Sequence, residues 1–246
     1  NAIFATLGKH VLLAAPTGRA SRRLSEVTRR KATTIHKLLE YNFKEDIFDK
    51  NLDNPLDADA VIIDEASMVD TLLMFHLIQA VPVTSVLILV GDIFQLLSVR
   101  PGNVLSDLIQ STRTPVYYLK KIFRQAHESP IILNAHRVRH GEFPLLKPWD
   151  DSEDLSAFYF LDQNDPDKVV STIVKLCSKA IPMRFDLDSV HDVQVLTPMH
   201  KGVVGTTNLN QVLQKVLNPN PVMIETSGST YKIGDKVMHL INNYQK

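Results

Sequence analysis

Four short runs of unbroken apolar residues constrain this chain most: HVLLAAP (10–16), AVIIDEA (60–66), TSVLILVGD (84–92) and PVYYL (115–119). A strand with one wet face alternates apolar and polar side chains, whereas a strand covered on both faces is apolar throughout, as in parallel sheets. Between the runs lie SRRLSEVTRR, TTIHKLLEY and MVDTLLMFHLIQAV, with apolar residues at helical spacing such as Leu72, Phe75, Ile78 and Ala80. Strand and helix in alternation predict an α/β fold with a doubly wound parallel sheet. Such sheets bind ligands beyond the carboxyl ends of their strands, and Pro16, Asp64 and Asp92 all fall there.

After about residue 120 the composition shifts. Residues 147–192 carry ten acidic side chains against five basic ones. AFYFL (157–161) and DVQVLTP (192–198) read as further strands, PDKVVSTIVKLCSKAI as an amphipathic helix, and TTNLNQVLQKVLN as a helix capped by Thr206 or Thr207. A second α/β domain is expected. From about 219 the pattern changes to short β runs around Gly234-Asp235, as at the start of a small barrel. The 246 residues contain one cysteine, Cys177, which excludes a disulfide framework and a multi-thiolate metal site and suits a reducing compartment. No run reaches the roughly 18 apolar residues of a membrane span, so the chain reads as cytoplasmic.

The pair Asp64-Glu65 closes a buried strand with two like charges, an arrangement that a nearby cation relieves. A hydrophobic strand ending in Asp-Glu is how nucleotide hydrolases hold magnesium and activate water: Asp64 would help fix the metal through a water, and Glu65 would accept the proton of the attacking water. A helix cap followed by a first-turn acid is the alternative. In VGDIFQL a neighbouring strand delivers Asp92 and, three residues on, Gln95 to the same edge. Its amide can donate to a γ-phosphate and accept from water. A Gly-Asp turn with a solvent-facing glutamine is the competing reading.

With 27 Lys and Arg against 27 Asp and Glu, the whole-chain charge points to no particular partner, so local charge must decide. Residues 16–40 hold seven basic side chains (Arg19, Arg22, Arg23, Arg29, Arg30, Lys31, Lys37) against Glu26 and Glu40. Such a local field suits a phosphate backbone, though a solvated helix face would look the same. In APTGRA, Pro16 stops the strand, Gly18 lets backbone approach a ligand, and Thr17 can cap the next helix. Thr33, Thr34 and His36 add groups that bond to phosphates or stack on bases. Arg124, just after a strand, can reach across to a phosphate on a neighbouring domain or stay in a surface ion pair. A helix is expected through Ile131, Leu133 and Val138. His127, His136 and His140 have no carboxylate or thiolate at ligand spacing, so no metal site is read there.

In chain order, VLLAAPTGRASRRLSE, ATTIHKLLE, VIIDEASMVD, LVGDIFQLLSVRPGNVL, IFRQAHESPIILNAHRVRHGEFP, VQVLTPMHKGVVGTTNLNQVLQ and GDKVMHLINNY resemble the motifs of the RecD-like branch of superfamily 1 DNA helicases. That branch includes the exodeoxyribonuclease V alpha subunit. The resemblance spans nearly the whole chain. It implies two RecA-like, P-loop NTPase-type parallel-sheet domains, both incomplete (1–120 and 121–218), and the start of an SH3-like insertion (219–246). It also implies ATP and Mg²⁺ as cofactors, single-stranded DNA moved 5′ to 3′ in recombination and repair, and other subunits of an exodeoxyribonuclease V-type complex as partners. Position by position, Asp64 and Glu65 match the magnesium and water-activating pair, Gln95 the γ-phosphate glutamine, and Arg124 the arginine that senses ATP from the second domain. Pro16, Thr17, Gly18, Arg19, Thr34, His36, and Val99, Arg100, Pro101, Gly102 and Asn103 match DNA-contacting motifs, as do Thr197, Pro198 and Lys201.

The chain departs from the family at three points. Leu97 stands where the family has proline, and Arg100 where it has glycine. The phosphate-cradling glycine-lysine loop is absent from the 246 residues, so the chain is expected to be an internal fragment that binds ATP weakly and does not hydrolyse it alone. A non-catalytic DNA-binding or subunit-docking module with the same fold is the alternative.

Overall fold

The structure, a computed structural model, describes residues 2–119, 129–146, 157–226 and 229–238. The chain divides into two compact units, one of Asn1–Glu128 with Ala135–Glu142, the other of Ser129–Asn134 with Phe143–Lys246. No helix among the described residues is long and apolar enough to cross a membrane.

The first unit is built on strands β1 (Val11–Ala15), β2 (Ala32–Thr34), β5 (Ala60–Ile63) and β6 (Val86–Leu89), in the order β2-β1-β5-β6 and all parallel. Two rows of side chains cross the sheet in register: Leu12, Val61 and Leu87, then Ala14, Ile63 and Leu89. Both rows join one core with helices α3 (Ile35–Leu38), α4 (Thr71–Ala80) and α5 (Val104–Gln110). The alternate row, Leu13, Ile62 and Ile88, faces the other way. Helix α2 (Gly18–Thr28) packs against β1 and β2. Its start follows the expectation: Pro16 lies just past β1, and the Thr17 side chain accepts from the Ala20 N–H at 3.2 Å. A short hairpin, β3 (Tyr41–Asn42) and β4 (Ile47–Phe48), intervenes before β5.

Three strand expectations are corrected. Residues 115–119 belong to no ladder, residues 157–161 contribute one bridge residue at Phe160, and 192–198 form no strand. A strand exists only through its neighbour's hydrogen bonds, and these segments lack such ladders among the described residues. The buried face of α4 also differs: Leu73, Met74, Leu77 and Ala80 are inside, whereas Leu72, Phe75 and Ile78 lie more than half exposed. On a helix that is apolar all round, spacing alone does not say which side is inside.

Helix α6 (Pro130–Arg139) forms as expected. Its inward residue is Asn134 rather than Ile131, Leu133 or Val138. The Asn134 amide donates to the Leu145 carbonyl at 2.9 Å and accepts from the Leu145 N–H at 2.7 Å, as a strand neighbour would. Helix α7 (Pro166–Lys175) runs through a π turn, Leu176–Ala180, into α8 (Ile181–Phe185). Pro182 offers no N–H to the carbonyl four residues back, and its ring crowds that carbonyl, which accounts for the widened turn. Helix α9 (Thr206–Leu217) is capped by Gly205, not by Thr206 or Thr207; the Thr207 hydroxyl donates to the His200 carbonyl instead.

Strands β7 (Met223–Thr226) and β8 (Ser229–Lys232) form an antiparallel hairpin. Asp235 ties it to α9, accepting from the Gln214 amide at 2.6 Å, the Asn218 amide at 2.7 Å and the Lys232 N–H at 2.7 Å. Burial pushes its carboxyl up, but these hydrogen bonds outweigh it and hold the group below the usual carboxylate range.

Candidate nucleotide and nucleic-acid site

Since all four strands run the same way, their carboxyl ends form one edge, which receives Pro16-Thr17 from β1, Thr34 from β2, Asp64-Glu65 from β5 and Val90 to Asp92 from β6. Ladder bonds continue past the strands: the Asp64 N–H donates to the Ala14 carbonyl at 2.9 Å, Val90 N–H to Ile63 at 2.8 Å, and Ala66 N–H to Val90 at 2.8 Å. The acidic pair is thereby locked to its neighbours on both sides.

Between Asp64 and the following 3-10 turn (Ala66–Met68) the chain bends sharply. Glu65 takes a left-handed backbone, φ 53° and ψ 39°, which costs an L residue about 1–2 kcal/mol and is characteristic of functional sites. One Asp64 carboxylate oxygen accepts the Glu65 N–H at 3.0 Å, fixing that carboxylate's orientation. Both side chains are partly accessible. Glu65 thus stands at the N-cap position of the 3-10 turn but makes no side-chain capping bond there.

Gly91 presses on this bend. A Cβ there would stand 3.0 Å from the Ser67 nitrogen, 3.1 Å from the Ala66 nitrogen and 2.8 Å from Leu105 Cδ2. The next turn is closed by Asp92, which accepts from the Phe94 N–H through its side chain and from the Gln95 N–H through its carbonyl. Gln95 is exposed on that turn, and the guanidinium of Arg139 lies 3.8 Å over the Phe94 ring. Arg124 lies outside the described residues.

Where the two family departures fall, the loop is held by other means. The Ser98 hydroxyl donates to the Arg100 carbonyl at 2.6 Å and to that of Gly102 at 3.0 Å. Gly102, not residue 100, carries the left-handed backbone, with φ 134°, and packs on Thr71 so closely that a Cβ would overlap its hydroxyl. Arg100 needs no glycine. Val99 and Arg100 are exposed, while Pro101 accepts the Thr71 N–H at 3.3 Å and Asn103 starts α5.

Thr34 caps α3 by accepting the Lys37 N–H at 3.2 Å. A Cβ at Gly18 would meet nothing within 4 Å, so the backbone there is open. Arg19, Arg22, Arg23, Arg29, Arg30, Lys31 and Lys37 are all exposed. His36 is half-buried, its ring 5.6 Å from Tyr41 edge-on and 5.8 Å from Phe48. Burial, then the nearby Arg100 charge, lowers its pKa against the opposing pull of buried Asp70. In the unfolded chain His36 titrates near 6.5. The folded protein holds it neutral at lower pH, so its contribution to stability is complete above about 6.5 and fades as pH falls through the folded value. Urea unfolding at pH 7.5 and 5.5 should show a larger acid loss for the natural protein than for His36→Gln; equal losses would refute it. Sequence reading missed Asp70, Tyr41 and Ser67, because nothing in a one-dimensional pattern places them beside His36 or under Gly91.

In the second unit, Thr197 donates its hydroxyl to the Val204 carbonyl at 2.8 Å, while Pro198 and Lys201 are exposed on the loop leading to α9.

A family model described as an AAA domain matches residues 1–101. The chain is 38% identical over 239 residues, 97% of its length, to the ATP-dependent RecD2 DNA helicase of Deinococcus radiodurans, and covers 31% of that protein. It is also 38% identical to the RecBCD enzyme subunit RecD of Mycolicibacterium smegmatis, in an alignment that covers 95% of the chain and 46% of that protein. Over 148 residues, 58% of the chain, it is 30% identical to the ATP-dependent DNA helicase dda of Enterobacteria phage T4, covering 34% of that protein. The chain thus spans less than half the length of these relatives.

Proposed function

This chain belongs with the RecD-like helicases, and on that footing we propose that it is motor-core sequence of an ATP-dependent DNA helicase moving 5′ to 3′ along single-stranded DNA in recombination and repair. One observation carries the reading: neighbouring parallel strands deliver an acidic pair on a strained bend and a glutamine-bearing turn to a single sheet edge. In this reading residues 1–120 belong to the first motor domain, 121–218 to the second, and 219–246 to the start of an SH3-like insertion. The protein works in the cytoplasm with single-stranded DNA, alone or with other subunits of an exodeoxyribonuclease V-type assembly.

Asp64 and Glu65 offer hard carboxylate oxygens, and no group of three or more His, Cys, Asp or Glu side chains among the described residues forms a complete metal cage. Such a site fits Mg²⁺, which takes one or two carboxylates and fills its octahedron with water and substrate phosphates. Bound there, the ion would neutralise charge developing on the phosphates. Glu65 takes a proton from the attacking water, whose oxygen bonds to the γ-phosphorus as the bond to the bridging oxygen of ADP breaks. Gln95 orients that water and the γ-phosphate, and Arg124 stabilises the charge in flight. Pro16 to Arg19, Thr34, His36 and Val99 to Asn103 from the first domain, with Thr197, Pro198 and Lys201 from the second, line the strand.

The 246 residues carry no glycine-lysine phosphate loop, so this polypeptide by itself should bind ATP weakly and release no phosphate. The full-length protein should release phosphate faster with single-stranded DNA and unwind a duplex bearing a 5′ tail but not a 3′ tail. Absence of DNA-stimulated hydrolysis would overturn the motor reading.

A further inference from the structure

Ser67 is 5% exposed, and its hydroxyl is the one buried side-chain polar group among the described residues without a hydrogen-bond partner. Buried hydroxyls almost always find partners, so an orphan of this kind marks a group held for another state or ligand. Its location is specific. It lies two residues past the left-handed Glu65, in the 3-10 turn whose first N–H donates to the Val90 carbonyl. Its backbone nitrogen is 3.0 Å from where a Cβ on Gly91 would stand, so the serine abuts the turn that carries Asp92 and Gln95.

We propose that Ser67 is a positioning residue whose hydroxyl bonds to the Gly91–Gln95 turn in the nucleotide-bound state, coupling Gln95 to Glu65. The inference rests on the motor reading above. A hydroxyl with no partner contributes no bond to the fold, and burying it unpaired opposes folding. Its bond forms only once nucleotide draws Gln95 and Glu65 towards the γ-phosphate. The interaction then belongs to the reacting complex and acts on turnover more than on ATP capture.

The test is Ser67→Ala in the full-length protein. Without nucleotide, its Tm should equal or exceed that of the natural protein. With single-stranded DNA, kcat for ATP hydrolysis should fall about 10-fold with KM for ATP little changed, and Ser67→Thr, which keeps the hydroxyl, should recover most of that loss. A Tm loss in nucleotide-free Ser67→Ala, or an unchanged kcat, overturns the proposal. Natural protein that shows no DNA-stimulated hydrolysis overturns the motor reading itself, a result distinct from active natural protein with an equally active Ser67→Ala.

Discussion

Replacing Glu65 with glutamine in the full-length protein is expected to lower DNA-stimulated ATP hydrolysis by about 10²–10⁴-fold while leaving nucleotide binding nearly intact. Glutamine has the same shape and keeps the left-handed backbone of this position no worse than glutamate does, so the fold should survive. What it loses is the ability to take a proton. Water then has to attack without a base, and the loss appears in kcat rather than in KM. Filter binding of a nucleotide analogue beside a phosphate-release assay separates the two quantities. A variant that retains more than a tenth of the natural rate would remove Glu65 from the chemistry.

The second large effect concerns salt. If the exposed cations of residues 16–40 lie against single-stranded DNA, each phosphate they neutralise releases counterions, and log K falls with log salt by about 0.7 per contact. Three contacts predict about a twenty-fold loss of affinity between 50 and 200 mM salt, and six about 300-fold. Arg22 and Arg23 are exposed on α2, with Arg23 3.5 Å from Glu26. Changing both to glutamine should reduce the slope by about 1.4 if each meets a phosphate. Fluorescence anisotropy of a labelled oligonucleotide across a salt series reads this directly. A flat series would return the basic run to a solvated helix face.

The parallel sheet and the residues at its edge were legible in the sequence because unbroken apolar runs and the polar residues that end them are local patterns. Pro16 and Thr17 end β1 and cap α2 as local chemistry dictates. The inward face of α4 was not legible, since Leu72, Leu73, Met74, Phe75, Leu77 and Ile78 surround the helix with apolar groups and leave the choice to the neighbours. Asn134 was passed over for a similar reason: an amide becomes an inward residue only because Leu145 returns to meet it. In the site, the acidic pair and Gln95 stand out by residue type. The bend at Glu65, the contact of Gly91 on Ser67 and the charges around His36 arise from non-local packing. Segments 115–119 and 192–198 have strand composition without a ladder, which composition cannot supply.

The registered rows Leu12–Val61–Leu87 and Ala14–Ile63–Leu89 reach beyond the core. Side chains on a strand change sides with every residue, so the parity that buries Val61 and Ile63 also decides which way the next position turns. Deleting or inserting a single residue within 60–63 would put the residues on its two sides out of phase, so that a buried side chain, Asp64 or both must turn to the far side. Greasy anchors and acidic chemistry are thus geared together, and this short span should tolerate changes of letter far better than changes of length.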